Sequence, residues 1–222
     1  MKQSYVEVDL RVLEQNIRNV QQALGSRTAV MFVVKANAYG HGMGPVARQA
    51  AAAGVRWFAV AYLQEALELR KILNDIQILI LGVVEPDDVP ALLENRIIPI
   101  VASREQGLKL SARAQALGAR LPVHIKVDTG MGRLGLLWDQ VQDFLGQLGP
   151  NPGLDIQGIC THFAAVKPTH LDSARAQLER FTAAVNVVEH AAKRKLFKHV
   201  SSSRAFSYVK AWDFDAVRPG IV

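Results

Sequence analysis

The sequence holds a single cysteine, Cys160, in 222 residues, so no disulfide can close within the chain. It also lacks any long apolar run: the segment from Ile78 to Val84 is far short of the roughly 20 residues that a membrane helix needs. A charged-then-apolar leader is missing from the first residues, and with it the expectation of export. The reading is a cytoplasmic protein with no membrane partner. No low-complexity linker divides the chain, and 50% of its residues are apolar, enough for one domain with a sizeable core over residues 1–222. No metal site is expected.

An acidic excess is absent as well. The formal charge is +6, but the basic residues are scattered. The densest run, Lys193-Arg194-Lys195, closes a predicted helix, where cations complement the dipole. That argues against a nucleic-acid partner. It leaves a positive balance suited to an anionic cofactor and a carboxylate substrate.

What the chain does have is alternation. After an extended Tyr5 to Val8, a helix is predicted from Asp9, its N-cap, to Leu24. Strands are predicted at Ala29 to Val34, Trp57 to Val60, Gln77 to Leu81, Ile97 to Val101, Pro122 to Val127, Asp155 to Cys160, Lys198 to Val200 and Ala216 to Arg218. Helical patterns lie between them at Leu63 to Leu73, Pro86 to Glu94, Arg104 to Leu117, Trp138 to Leu148 and Leu171 to Lys195. Gly146 to Gly153 reads as a loop within the domain. Eight strand-helix units predict an α/β fold, a closed (β/α)8 TIM barrel rather than an open doubly wound sheet. The segment Gly40-His41-Gly42-Met43-Gly44 has the wrong spacing for a dinucleotide fingerprint. The eighth strand runs into Arg218-Pro219-Gly220-Ile221-Val222, so the barrel is expected to be truncated there.

Active sites in such barrels lie at the C-terminal ends of the strands. The polar residues at those ends are Lys35, Lys126, Arg133, His162, Ser203 and Arg218. Singly, each has a structural reading: Lys35 as a strand-end lysine reaching water, His162 as a hydrogen-bonded core histidine, Arg218 as a partner for Asp213 or Asp215. Together on one rim they predict a site. Cys160, inside a strand, reads as a small core residue without chemistry.

The run Val33-Val34-Lys35-Ala36-Asn37-Ala38-Tyr39-Gly40-His41-Gly42 resembles the cofactor-lysine motif of alanine racemases. Lys126-Val127-Asp128-Thr129-Gly130-Met131-Gly132-Arg133-Leu134-Gly135 is similar to that family's arginine loop, Thr161-His162-Phe163-Ala164 to its histidine segment, and Val217-Arg218-Pro219-Gly220-Ile221 to its last barrel strand. The resemblance implies an isomerase that interconverts L- and D-alanine, supplying D-alanine for peptidoglycan, with pyridoxal 5'-phosphate as cofactor. It implies that Lys35 carries the cofactor through an imine and serves as one base, which requires its pKa to fall from about 10.4. The hydroxyls of Tyr39 and Ser203 and the backbone N–H groups of Gly220 and Ile221 would hold the phosphate. Arg218 would face the pyridine nitrogen with His162 hydrogen-bonded to it, and Arg133 would meet the cofactor's phenolic oxygen and the substrate carboxylate. Lys126 is the position carbamylated in many relatives. The second base is, in the family, a tyrosine from a C-terminal β-domain of the partner subunit, absent from this sequence. A homodimer is therefore expected of the full-length protein, and inactivity of the isolated chain.

Two departures leave alanine, serine or a broader substrate range open: Ala165-Val166-Lys167-Pro168 replaces a usual acidic pair, and Ser202 stands where asparagine is common. Two rival readings fit less well. A decarboxylase on the same barrel would pair the ring nitrogen with a carboxylate, against Arg218. A cofactor-binding homeostasis protein of similar length lacks the motif from Ala36 to Gly42.

Overall fold

The computed structural model describes residues 6–150, 152–166, 168–208 and 210–220. The expected extended start at Tyr5 and the candidate ligand Ile221 lie outside these. Helix α1 (Leu10–Leu24) begins where Asp9 accepts the N–H groups of Arg11 and Val12. There follow β1 (Ala29–Val33), the short turn α2 (Lys35–Tyr39), α3 (Met43–Ala52), β2 (Trp57–Val60), α4 (Leu63–Ile72) and β3 (Gln77–Ile80). Then come a 3-10 turn (Pro86–Asp88), α5 (Val89–Glu94), β4 (Ile97–Val101), α6 (Arg104–Ala116), β5 (Leu121–Asp128), the two-residue β6 (Leu136–Leu137) and α7 (Val141–Leu148). The chain continues through β7 (Leu154–Cys160), α8 (Leu171–Ala192), β8 (Phe197–Ser202), α9 (Ser203–Tyr208) and β9 (Ala216–Arg218).

All pairings are parallel, and the order β4-β3-β2-β1-β9-β8-β7-β5 is closed by β4 against β5, giving the expected eight-stranded barrel. Strand β6, unforeseen from the sequence, extends the end of β5 through Val127 and Leu136. Helices α3 and α9 were not among the predicted ones, and the helix expected from Trp138 starts at Val141. The predicted end at Lys195 moves to Ala192, because Lys193 takes a left-handed conformation as C-cap. The basic run beyond it is engaged locally: Arg194 pairs with Asp155 at 2.6 Å and Lys195 with Glu189 at 2.7 Å. No described helix is long and apolar enough to cross a membrane.

Strand side chains alternate between two faces, so closure sorts them into two layers. Val30, Phe32 and Val34 pack outward against the helices with Phe58, Ile78, Val123 and Ile125. Met31 and Val33 pack into the barrel with Ala59, Leu79, Ile100, Cys160 and Ala216. Each large side chain so buried contributes about 1.5–3 kcal/mol.

The N-terminal end of the barrel is fastened by Arg70, buried in α4. Its guanidinium donates to the carbonyls of Asn95 (2.9 Å), Asn74 (2.8 Å), Ile76 (3.0 Å) and Arg96 (3.2 Å), tying the exits of α4 and α5 together. Arg70→Met removes every donor while keeping most of the packing, and should lower unfolding stability on the order of 3 kcal/mol. Urea denaturation reads this; a loss below about 1 kcal/mol would mean that water satisfies those carbonyls equally well.

Candidate active site

Toward the C-terminal ends of the strands the inward-facing rows carry polar groups: Met31 and Val33 lead to Lys35, Cys160 to His162 and Ala216 to Arg218, while in β5 the buried His124 already precedes Lys126. Strand β8 breaks the rule. Its register with β9 shifts between His199 and Ser202, a bulge that re-aims the strand so that Ser202 and Ser203 both face the mouth. The result is one cavity of about 650 Å³, within the ordinary range for small ligands. Lys35, Tyr39, Lys126, Arg133, His162, Ser203, Arg218 and Gly220 all line it. Every sequence-predicted site residue that is described is thus brought together. Among the described residues no carboxylate lines the cavity, whereas four cations do.

Arg218 is the best-held of these. It is 6% exposed, and its guanidinium donates to the carbonyls of His199 (2.7 Å), Thr161 (2.7 Å) and Val200 (2.9 Å) and to Nδ1 of His199 (2.6 Å). The predicted partner His162 stands farther off, its Nδ1 3.4 Å from Nη2. Of the two aspartates considered as its partner, Asp215 instead accepts the backbone N–H of Lys198 at 2.7 Å. His199 in turn contacts Nδ1 of His124 at 2.9 Å. Sequence reading passed over both histidines, although His124 shares its inward face with Lys126. Gly158 makes room for them: a Cβ there would meet the His124 ring at 2.6 Å.

Burial, then the charge of Arg218, pushes His124 down to about 3. His199 falls well below its ordinary value for the same reasons, and His162, also near Lys126, Arg133 and Lys35, falls to about 3. All three imidazoles are neutral at physiological pH. Burial raises the phenol of Tyr39 and the thiol of Cys160, which walls the cavity as an un-ionised group.

The segment after β5 is shaped by Asp128. Its carboxylate accepts the N–H groups of Gly130 (2.8 Å), Met131 (2.9 Å) and Gly132 (2.9 Å), which presents the exposed Arg133 at the rim. Burial would raise this carboxyl, but those amide bonds hold it below its usual value.

Lys35 follows β1 and begins a left-handed turn: Ala36, Asn37, Ala38 and Tyr39 have φ of 51, 53, 53 and 55°. Such a conformation costs an L-residue roughly 1–2 kcal/mol, so the turn must be held by bonds. The N–H of Ala38 donates to Val34, that of Gly40 to Ala36, and that of Met43 to the side chain of Asn37. The turn brings the Tyr39 hydroxyl against Gly220, where a Cβ would lie 2.5 Å away, so a larger residue would displace the phenol. The N–H of Gly220 donates to Ser203 Oγ at 3.1 Å. Two hydroxyls and a backbone amide therefore meet at the end of β9, the place where barrels commonly hold phosphate. A primary amine, an anion cradle and fixed cations suit an anionic ligand with a carbonyl open to amine attack.

A family model for the N-terminal domain of alanine racemase matches residues 8–222. Alanine racemase of Desulforamulus reducens is 38% identical over 220 residues, 98% of this chain and 59% of that protein. The crystal structure of alanine racemase from Bacillus anthracis with bound L-Ala-P superimposes with a TM-score of 0.86 at 32% identity, covering 96% of this chain and 55% of that one. Alanine racemase from Bartonella henselae with covalently bound pyridoxal phosphate gives 0.85 at 27% identity, over 96% and 61%. The chain thus spans little more than half the length of the relatives that it matches.

Lys126 offers a test of the site's electrostatics. Burial, with Arg218 and Arg133 nearby, pushes its amine down to about 8 from an ordinary 10.5, although Cys160 and Asp128 act the other way. Between those values the folded state binds fewer protons than the unfolded one, so stability rises with pH there. Below about pH 8 the cost of the buried ammonium is present in full, and it fades toward pH 10.5. Lys126→Met should therefore stabilise the protein near neutral pH and lose that advantage by pH 10.5, in urea denaturation under carbon-dioxide-free buffer. An advantage independent of pH would contradict the desolvation of Lys126.

Proposed function

The chain belongs to the alanine racemase family through its N-terminal domain, and we propose that it forms the pyridoxal-phosphate-binding barrel of an enzyme interconverting L- and D-alanine. One observation carries the reading: Lys35 and Arg218 face the same cation-lined cavity, an amine on its wall and a fixed guanidinium within it. When bound, the cofactor supplies the acidity at Cα that a free amino acid lacks.

The chain's own residues divide the remaining work. Lys35 would hold the cofactor through its amine, the carbonyl oxygen leaving as water, and would move the Cα proton on the face that it addresses. Tyr39, Ser203 and the N–H of Gly220 hold the phosphate, with Ile221 as a further ligand outside the described residues. Arg218 stays charged, and beside the ring nitrogen it would oppose protonation there, leaving the ring a weaker electron sink and disfavouring transamination and decarboxylation. His162, as a neutral imidazole, stands beside it. Arg133 receives the substrate carboxylate with its planar fork of donors. The amine of Lys126, neutral in part near physiological pH, adds carbon dioxide to give a carbamate and a released proton; the anion offsets the charges of Arg133 and Arg218.

Racemisation needs a second base on the opposite face, and no residue of this chain is assigned to it. A homodimer, a cytoplasmic location and delivery of D-alanine to the cell wall complete the proposal.

Lys35→Ala should abolish interconversion of the alanine enantiomers in the protein expressed from its complete reading frame. It should also abolish borohydride-trappable attachment of pyridoxal phosphate, read by peptide mass. Cofactor trapped in the variant at the parent's level would sink the assignment. Arg133→Ala should raise KM for alanine and lower kcat, with a combined loss in kcat/KM of roughly 100-fold. Parent-like kinetics would remove Arg133 from the substrate's path.

A further inference from the structure

Glu65 lies in the first turn of α4 and does not line the cavity. Its carboxylate nevertheless binds backbone N–H groups of two different connections. Oε2 accepts from Ala61 at 2.7 Å and Tyr62 at 3.3 Å, which caps α4. Oε1 accepts from Ala36 at 2.6 Å, 29 residues away in the sequence. Helix capping explains the first pair and not the second bond. Ala36 is the residue after Lys35 and the first with a positive φ in the left-handed turn.

The bond to Ala36 fixes the plane of the Lys35–Ala36 peptide, and that plane carries Cα of Lys35 on its other side. The remaining bonds of the turn, Ala38 to Val34, Gly40 to Ala36 and Met43 to Asn37, are made within residues 34–43. They shape the turn internally; the N–H of Val34, just before Lys35, donates to the carbonyl of Ala59 in the neighbouring β2 at 2.9 Å, and this bond leaves the Lys35–Ala36 peptide untouched. Among the described residues, Glu65 is the side chain that ties Ala36 to the segment after β2, whose Ala61 and Tyr62 line the cavity.

We propose that Glu65 is a positioning residue for Lys35: it locks the Lys35–Ala36 peptide to the connection between β2 and α4, and so fixes the direction from which the lysine enters the cavity. The inference rests on the cofactor-attaching role given to Lys35 above. An ionised carboxylate is the group suited to the task. It offers two acceptor oxygens to opposed amides, whereas glutamine would turn an NH₂ toward one of them. Bonds to the charged form are also about twice as strong as neutral ones.

The test compares Glu65→Ala and Glu65→Gln with the parent, each expressed from the complete reading frame, with pyridoxal phosphate as the probe. Hydrogen exchange at the Ala36 amide is measured in the cofactor-free protein, attachment at Lys35 by borohydride trapping over time, and thermal midpoints alongside. In E65A, Ala36 should exchange about 10-fold faster or more, and attachment and kcat should fall by roughly 10- to 100-fold, with KM for alanine within about twofold. E65Q should fall between E65A and the parent on every readout. A lowered thermal midpoint with parent-like Ala36 exchange and attachment would make Glu65 merely structural and overturn the proposal. Should E65A not fold, the near-isosteric E65Q decides by the same two measurements. A parent protein that fails to attach the cofactor at Lys35 sinks the functional reading instead, which Ala36 exchange, measured without cofactor, does not depend on.

Discussion

A guanidinium has five N–H donors and no acceptor, and it does not give up its charge in a protein. Arg218, buried in the barrel, must therefore be surrounded by acceptors, and much of the site follows from that need. Three carbonyls of β8 and its neighbour supply most of them. The fourth is an imidazole nitrogen, so Nδ1 of His199 has to be bare and its proton must sit on Nε2. That proton points at Nδ1 of His124, which must be bare in its turn. The His124 proton is left on Nε2, which has no partner among the described residues. One permanent cation thus dictates the tautomers of two neutral histidines, and the second of them requires a glycine at 158.

The alternation that makes the barrel also made most of its site readable. Lys35, Lys126, His162 and Arg218 stand at or just past the C-terminal ends of their strands, so position along the strands sufficed to nominate them. Parity fails at β8, where the bulge between His199 and Ser202 resets the faces, and nothing in Val200-Ser201-Ser202 announces it. His199 and His124 escaped for a different reason: they lie below the rim, and their role comes from a neighbour that no sequence distance suggests. Glu65 was hidden behind an ordinary local role, since a glutamate in the first turn of a helix needs no further explanation. The short β6 and helices α3 and α9 likewise depend on packing rather than on a strong periodic signal.

The cavity is an electrostatic liability to the protein that carries it. Lys35, Lys126, Arg133 and Arg218 share one wall system without a lining carboxylate among the described residues, and Asp128 spends its oxygens on backbone amides. Repulsion of this kind is relieved by whatever anions enter, so ligand binding and folding stability are coupled through the same residues. The amine of Lys126, lowered chiefly by burial and further by Arg218 and Arg133, is where burial and crowding meet, and conversion of that amine to an anion would relieve the crowding locally.

The left-handed turn after β1 has a kinetic meaning as well as a geometric one. Ala36 to Tyr39 adopt the mirror image of the helix that L-residues prefer, so the unfolded chain visits this shape rarely, and the bonds within residues 34–43 have its cost to offset. The bond from Glu65 that opposes the strain comes from an element 29 residues onward. That bond can form only once β1, β2 and α4 are packed together. A nascent or half-folded chain carries Lys35 as an ordinary, undirected lysine, and the amine becomes an aimed nucleophile only when this side of the barrel has assembled around it.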